Sequence, residues 1–598
     1  MKQRLLGVIA ALFLWLAGPQ RAAAQWQTQS ITIKPGWTAV YLYVDASYTN
    51  LDYLVGSDSS NPITEVWLWE PNFSTVQYIT SAQNPITGSS QWANWERAST
   101  GLGAGSTLAS LAPNSAFLIH SIATTNYTWN IKGKPTLPSY YWSTTSINFL
   151  GFPTPGTNAP LLDAFLGPVP SFSSAATFYQ YTGGALSAIN PSLIFAPHTV
   201  RVNRGQAFWV NSPSYANTYF GPFQVIFNGT SPNYGNSISS TSFRLLNTTP
   251  AAVTVNLNLF ASENPPSGQQ AIVGVPPLVM QGSLNTSNLT YNVTNLSTTH
   301  GLRWTLKPAG QAGSDITVQL GVDRTRLAGD PSQLYAGILK FTDTAGLSEV
   351  DVPVSAQPAS YAGLWVGAAA VSQVSAYLKT YQLDTSGNPV QGSNGAYVVT
   401  SVNTNLGATA AAYPLRLILH NDGTNVNLMR RVFYGNDANS NAIVTTVESA
   451  LDPNQLSTAR RVTAVHLPWT SSNATWTFTG RLVPGATLTN LVTTSYADQA
   501  SNPFLHTYHP DHDNLDATFQ NQLPIGAESY QIDRQIILSI TAPGNDYASL
   551  TQFGKTFSGS YAENVTLTGL AGATRTLKSA GAFTINRLSP IAVLTRGQ

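Results

Sequence analysis

The stretch Glu65-Val66-Trp67-Leu68-Trp69-Glu70 decides the fold class, because it is a short run of bulky apolar residues of the kind typical of strands. Similar runs recur along the chain between clusters of Gly, Pro and Asn, and helical periodicity is almost absent. They lie at residues 38–44, 116–121, 207–212, 415–420 and 536–541. This pattern predicts an all-β protein.

The same stretch has a counterpart later in the chain, at Thr177-Phe178-Tyr179-Gln180-Tyr181-Thr182. Three more pairs of segments keep the same order, which chance would rarely produce. They are residues 36–42 with 147–152, 51–54 with 162–165, and 116–121 with 207–212. The sequence therefore predicts two related β units, at residues 25–134 and 135–236, the second an internal repeat of the first.

Two parts of the chain resemble modules of bacterial secreted proteins. Residues 147–212 are similar to modules that open with a GWNLVGFP-type strand and close with a GxGYWV-type strand. The strand at residues 334–342 and the strand at residues 350–355 resemble the YxGxLxF and V-PVS strands of bacterial immunoglobulin-like spacers. These resemblances imply small extracellular β modules, including an Ig-like β-sandwich at residues 237–357, and they imply no chemistry.

Residues 358–598 form the last predicted domain, a larger β domain. Its opening Gly363-Leu364-Trp365 is similar to the Gly-x-Trp of lipocalin-like barrels, although no characterised family matches the domain as a whole. A β-sandwich or jelly-roll-like domain is the main expectation. The predicted architecture is thus multidomain and all-β: duplicated N-terminal β units, an Ig-like sandwich and this C-terminal domain.

The composition and the N-terminus indicate a secreted chain. Residues 1–24 combine Lys2 and Arg4, an apolar run and the small-residue cleavage site of a signal peptide. That run is shorter than the ~20 residues that a membrane-spanning helix needs, so no transmembrane segment is expected in the mature chain. The 598 residues hold 28 Lys+Arg, 27 Asp+Glu and no Cys, and a net charge of +1 gives no basic surface for nucleic acid. We expect an extracellular, cell-surface or periplasmic bacterial protein.

The densest cluster of metal-ligating residue types lies at residues 506–516. In a chain without cysteine, imidazole and carboxylate groups are the strong ligands left for a divalent metal, zinc or calcium. A structural network of His–Asp hydrogen bonds and a catalytic site are the open alternatives. Two histidines on other predicted strands complete the set. The candidate metal ligands are His506, His509, Asp511, His512, Asp513, His420 and His466.

Tryptophan side chains provide a second candidate site. Trp67 and Trp69 share one face of a predicted strand and could present flat rings to a sugar, although packing in the core is the usual role of such rings. Trp92 and Trp95 have no counterpart in the second unit and lie among polar residues. For these two the sequence predicts a loop position and contact with carbohydrate.

No recognised catalytic signature is present. The sequence contains no Gly-x-Ser-x-Gly elbow, no phosphate-binding loop and no dinucleotide-binding fingerprint. We therefore expect a non-catalytic structural, adhesive or binding protein of the bacterial exterior, with glycans or cell-surface components as partners. The alternative is a metal-dependent hydrolase whose site lies in the C-terminal domain.

Overall fold

The computed structural model describes residues 25–70, 79–97, 106–140, 143, 146–183, 191–212, 219–229, 231–327, 329–375, 378–403, 405–464, 475–494, 530–552, 554–569 and 574–595. The chain forms two compact units. The first unit comprises residues 1–359 and 545–553, and the second comprises residues 360–544 and 554–598. With 52% of residues in strands and 7% in helices, the predicted multidomain all-β class is confirmed.

The first unit begins with a four-stranded and a three-stranded antiparallel sheet. Their orders are β2-β6-β4-β5 and β1-β7-β3, and a single π-helical turn, Asp52–Gly56, precedes β4. Apolar side chains from both sheets, with Trp95 and Phe117 among them, form one core cluster. The strands are β1 (Gln27–Ile33), β2 (Gly36–Leu42), β3 (Val44–Asp45), β4 (Ile63–Trp69), β5 (Trp92–Glu96), β6 (Ser115–Ser121) and β7 (Tyr127–Pro135).

A second four-stranded sheet has the same strand arrangement as the first four-stranded sheet. Its strands are β8 (Asn148–Gly151), β9 (Thr177–Tyr181), β10 (Pro191–Leu193) and β11 (Ala207–Asn211), and its helices are α1 (Leu162–Leu166), α2 (Pro170–Ala175) and a 3-10 turn (Pro197–Thr199). The order β8-β11-β9-β10 matches β2-β6-β4-β5 strand for strand. In both sheets a short helix follows the first strand, so the duplicated units predicted from the sequence share one topology.

The remainder of the first unit is a two-sheet sandwich. One sheet has the order β12-β13-β19-β16-β17; the other has the order β15-β20-β14-β18, with β21 paired to β20. Both sheets contribute to a single apolar core. Helix α3 (Tyr547–Thr551) packs on β16, β17 and β19. The strands are β12 (Phe223–Phe227), β13 (Ser240–Asn247), β14 (Val253–Ala261), β15 (Ile272–Gly274), β16 (Leu278–Asn285), β17 (Thr290–Leu296), β18 (Leu302–Leu306), β19 (Asp315–Val322), β20 (Leu334–Asp343) and β21 (Glu349–Ala356), with a 3-10 turn at Arg324–Arg326.

The second unit contains an eight-stranded antiparallel sheet, a four-stranded sheet and a two-stranded ribbon. Short 3-10 turns lie at Glu448–Ala450 and Pro453–Gln455. The strands are β22 (Gly363–Ser375), β23 (Leu378–Tyr381), β24 (Val399–Asn403), β25 (Leu406–Asn421), β26 (Val426–Met429), β27 (Arg431–Asn436), β28 (Ala442–Thr445), β29 (Arg460–Thr463), β30 (Thr475–Phe478), β31 (Thr487–Thr494), β32 (Tyr530–Ile540), β33 (Thr556–Gly569), β34 (Thr574–Ser589) and β35 (Leu594–Thr595). The eight-stranded sheet has the order β30-β26-β25-β22-β34-β33-β32-β31, the ribbon pairs β23 with β24, and the four-stranded sheet has the order β29-β27-β28-β35.

The eight-stranded sheet is nearly closed. A bridge between Thr479 and Thr489 brings its two edge strands, β30 and β31, together. The strands follow one another in chain order around the sheet, which is a meander and differs from the Greek-key order of a jelly roll. This topology is more specific than the expected sandwich or jelly-roll-like domain.

Trp365, near the start of β22, is fully buried in the core of this sheet. Its ring stacks on Phe557 with centroids 4.8 Å apart, and the guanidinium of Arg587 lies 6.0 Å from the ring centroid. Arg587 donates to the carbonyl of Ser360 at 3.0 Å and to the carbonyl of Ala362. The arginine thus ties the segment that leads into β22 to strand β34.

Candidate functional site

Most of the predicted metal ligands lie outside the described residues. They are His506, His509, Asp511, His512, Asp513 and His466. The predicted signal peptide at residues 1–24 also lies outside the described residues. Within the described part of the chain, no three His, Asp or Glu side chains are grouped so that they could hold a metal ion. The metal site at residues 506–516 stays a prediction.

His420 is the one predicted metal ligand that the structure describes, and it is fully buried on β25. Its Nε2 lies 3.2 Å from the carbonyl oxygen of Ile591, which can only accept, so Nε2 carries the proton. Its Nδ1 is buried and has no hydrogen-bond partner. Burial lowers the pKa of His420, because the charged imidazolium would lose its hydration. In these surroundings His420 is a neutral structural contact to the C-terminal segment.

The four predicted carbohydrate-contacting tryptophans are buried. Trp67, Trp69, Trp92 and Trp95 are at most 8% exposed. Trp69 lies 5.0 Å from Trp92 and 5.3 Å from Trp209 between ring centroids, so the rings cover one another at the junction of the two repeated sheets. The predicted loop position of Trp92 and Trp95 is wrong, because both lie in strand β5. Their rings form core rather than an exposed platform for sugars.

Polar partners explain how β5 enters the core despite its polar sequence. The indole N–H of Trp95 donates to Asp52 at 2.8 Å, and Asn94 donates to Glu96 at 2.9 Å. Arg97, which follows the strand, donates to the carbonyls of Ile63 at 3.0 Å and Val55 at 2.7 Å. Each polar group is therefore satisfied inside the first unit, and a buried strand costs no unpaired hydrogen bond there.

Buried charges in the first unit form a structural network. Arg204 contacts Glu349 and donates to Asp351 at 2.9 Å, and Lys340 donates to Glu349 at 2.8 Å. The guanidinium of Arg204 also lies 4.2 Å from the ring centroid of Tyr43. Both carboxylates are held by cations, so neither is available as a free acid–base group.

The second unit has a comparable network inside the eight-stranded sheet. Arg534 contacts Glu563, and the hydroxyl of Tyr561 donates to the same carboxylate at 2.5 Å. All three residues are at most 9% exposed. Burial raises the pKa of the Tyr561 phenol above its usual range, with the Glu563 charge acting in the same direction, so the phenol stays protonated.

A groove at one end of the sandwich is the best candidate site. Its volume is about 740 Å³, within the ~300–1,000 Å³ range of small-molecule sites. Four separate parts of the chain line it. They are the turn before β13, the segment before β15, Ser332 just before β20, and Gln357 just after β21. The lining residues are Asn233, Tyr234, Gly235, Asn236, Ser237, Ile238, Gly268, Gln269, Gln270, Ser332 and Gln357. We call this the amide groove, because amide side chains dominate it and none of these residues is charged.

Arg324 fixes the floor of the amide groove. It is 5% exposed, and its guanidinium donates to four backbone carbonyls. Nη1 donates to Gly235 at 2.9 Å and to Gln357 at 2.6 Å, while Nη2 donates to Tyr234 at 3.0 Å and to Ile238 at 2.5 Å. The guanidinium group is planar and its N–H donors have fixed directions. It therefore holds the turn before β13 and the end of β21 in one geometry.

The turn above Arg324 is also held from the other side. Tyr234 is fully buried and donates its hydroxyl to the carbonyl of Leu320 at 2.9 Å. Burial raises the pKa of Tyr234 well above its usual value, so the hydroxyl remains a donor at any physiological pH. Gly235 has a φ of +46°, a conformation that favours glycine, and its backbone N–H donates to Asn233 at 3.0 Å. The groove is consequently preorganised.

The amide groove offers unused hydrogen-bonding capacity. Among the residues that the structure describes, the side-chain amides of Asn236, Gln269 and Gln357 have no hydrogen-bond partner. Gln270 donates to the carbonyl of Ser332 at 2.7 Å, and Ile238, 50% exposed, adds an apolar surface. Each free amide supplies both donors and an acceptor, and no His, Asp, Glu, Lys or Arg is among the lining residues. It is suited to binding an uncharged polar ligand.

A smaller groove of about 500 Å³ has a similar lining. It lies between the β16–β17 hairpin and the start of α3, and it is lined by Asn285, Asn288, Thr290, Tyr291, Asn292, Val293, Asn545 and Asp546. The Asp546 carboxylate already caps α3 by accepting from the Ser549 N–H at 3.1 Å. The side chains of Asn285, Asn288 and Asn292 also make hydrogen bonds, to Ser287, Thr290 and Ser283. This groove therefore offers less free hydrogen-bonding capacity than the amide groove.

Neither the amide groove nor Arg324 was among the residues indicated by the sequence. The stretch Pro232-Asn233-Tyr234-Gly235-Asn236 carries a turn signal, and Arg324 is unusual in a chain that is only 9% charged. These two signals predict a loop and a charged residue. They do not predict that the two meet.

Comparisons with known proteins identify no family. No protein-family model matches the chain, and no curated protein matches it. Among solved structures it is similar to the crystal structure of Salmonella alpha-2-macroglobulin reacted with methylamine, at 9% identity and a TM-score of 0.13, over 95% of this chain and 45% of that one. The chain thus spans less than half the length of that structure, and so slight a likeness carries no argument.

The helices among the described residues are all short. In the part of the chain that the structure describes, none is long and apolar enough to cross a membrane.

Proposed function

We propose that this chain is a secreted, non-catalytic binding protein of the bacterial exterior, with a structural or adhesive role, and that its amide groove takes an uncharged glycan. The observation that carries the proposal is the groove itself: a preorganised site with three free amides and no charged lining residue. The signal peptide and the extracellular type of module indicated by the sequence support the location.

The chemistry of the groove favours a sugar over a charged ligand. Sugar hydroxyls both donate and accept hydrogen bonds, and an amide can meet two neighbouring hydroxyls at once. A charged ligand would lose its hydration in the groove without gaining an ionic partner, which is costly. The buried tryptophans offer no alternative platform, so this proposal moves the carbohydrate contact from the aromatic cluster to the sandwich.

The test is glycan binding by the full mature chain and by the double variant Asn236→Ala/Gln269→Ala. We expect the parent to bind one class of neutral glycan on an array, and the double variant to bind it about 10-fold more weakly, since each lost hydrogen bond costs about 0.5–1.5 kcal/mol. Asn439→Ala, which removes an exposed amide in the second unit, is the matched control and should bind like the parent. Absence of glycan binding by the parent, or equal binding by the double variant, contradicts the proposal.

A further inference from the structure

The second unit carries a long β-hairpin with no core of its own. Strands β22 and β25 pair up to Ser375 and Leu406, and the ribbon of β23 and β24 continues the same hairpin outward. Within the described residues from 372 to 412 no side chain is buried, whereas Val371 and Leu417, at the base, are buried. We call residues 372–412 the β-arm.

The tip of the β-arm is ordered by its own hydrogen bonds. Two tight turns fold it back on itself, and the backbone N–H of Val390 donates to Gln382 while that of Val398 donates to Val390. The Asp384 carboxylate accepts from the N–H groups of Ser386 and Asn388 at 2.8 and 2.9 Å. The tip is therefore a defined structure rather than a plain loop.

One face of the β-arm is apolar and exposed. Tyr381 and Val399 are cross-strand partners, and Leu383 and Tyr397 lie two residues further toward the tip, which places all four on one face. The rings of Tyr381 and Tyr397 meet edge to face at 5.7 Å. Leu383, Tyr397 and Val399 are 58%, 52% and 40% exposed. A contiguous exposed apolar surface on an ordered element marks an interaction site.

We propose that the β-arm is a self-association element that docks on the β-arm of a second copy of this chain, apolar face to apolar face. A two-stranded hairpin is marginally stable alone in water, and two such faces together make a small two-layer sandwich with a core. The arm also has enough residues for this role, since a standard interface uses about 20–30 residues a side. This inference goes beyond the proposed function and does not depend on the amide groove.

Charge favours a second copy over a different partner. Lys379 and Asp384 are the only charged residues between 372 and 412, so two identical arms can approach with little repulsion. Without residues 1–24, which hold Lys2, Arg4 and Arg21, the whole chain has a net charge of only −2. The two charges of the arm have opposite signs, so the arm has no net charge for a charged partner to recognise. A two-fold axis matches each apolar side chain to an equivalent surface.

The first test is the oligomeric state of the full mature chain, measured by sedimentation over a range of concentrations. We expect a dimer, and we expect Leu383→Asp/Tyr397→Asp to raise its dissociation constant about 100-fold, because a charge would be buried at the centre of the interface. Gln382→Asp/Ser393→Asp adds the same charge to exposed arm positions and should remain dimeric. All four positions are exposed, so these variants should fold.

The second test uses the absence of cysteine. Val399→Cys gives the chain a single thiol, and any disulfide must then join two copies. We expect a disulfide-linked dimer from Val399→Cys and none from Asn439→Cys, an exposed position elsewhere in the second unit. A parent chain that stays monomeric at all concentrations, an aspartate variant that dimerises like the parent, or an arm that binds only a different protein overturns the proposal.

Discussion

Arg324 holds together backbone segments that line the amide groove, and its loss would remove a donor from four carbonyls. Two of these, Gly235 and Tyr234, would keep a backbone N–H donor. Leaving a buried acceptor without its hydrogen bond costs about 1–3 kcal/mol. We therefore expect Arg324→Met to lower the melting temperature of the first unit by several degrees in calorimetry. Arg326→Met removes an exposed arginine from the same turn and should change it little. Equal melting temperatures for the two variants would show that the four hydrogen bonds make no net contribution to the stability of the first unit.

His420 makes stability depend on pH in a defined direction. Burial lowers its pKa in the folded chain, whereas the unfolded chain protonates the same ring near pH 6.5. Protons therefore bind the unfolded state preferentially, so this contribution to stability is complete above about pH 6.5 and is lost as the pH falls toward the lower, folded pKa.

The matching variant is His420→Gln, which keeps a donor for the Ile591 carbonyl but does not titrate. We expect the melting temperature of this variant to fall less steeply than that of the parent between pH 7.5 and 5.5. His198→Gln, at an exposed position in the first unit, should leave the slope unchanged. The idea fails if both variants show the slope of the parent.

Strands β20 and β21 show how far local sequence predicts an element. Both apolar runs were predicted as strands, and the structure pairs them directly, with Leu339 opposite Val352. Strand β5 shows the limit. The polar residues around Trp92 and Trp95 predicted a loop, because exposure is the usual reason for polarity, yet their partners lie some 34–43 residues away in the chain. No local pattern reports such partners.

The repeated sheets could be predicted from the sequence, whereas the amide groove could not. The order β2-β6-β4-β5 recurs as β8-β11-β9-β10, and the paired sequence segments predicted that recurrence, because a duplicated sequence carries its own strand order with it. No comparable sequence pattern predicts the amide groove. Its lining comes from positions around 233, 269, 332 and 357, which meet only once the sandwich has set the register of its strands.

A short segment of the first unit is inserted between two parts of the second unit. Residues 545–553 belong to the first unit, although the chain before and after them belongs to the second, so the backbone crosses between the units three times. Helix α3, in this inserted segment, is packed tightly on β19. A Cβ added at Gly321 would lie 2.5 Å from Thr551 Cγ2 and 2.9 Å from the Tyr547 hydroxyl.

We expect Gly321→Ala to push α3 away from the sandwich, because overpacking of this kind costs about 1–3 kcal/mol and Thr551 and Tyr547 are both buried. The measurement is hydrogen exchange of the 545–553 backbone, which should lose protection in the variant while the strands of the second unit keep theirs. Gly156→Ala is the control, since a Cβ there meets open space. If 545–553 exchanges as slowly in Gly321→Ala as in the parent, the segment is held by its two connections to the second unit rather than by its packing on the first.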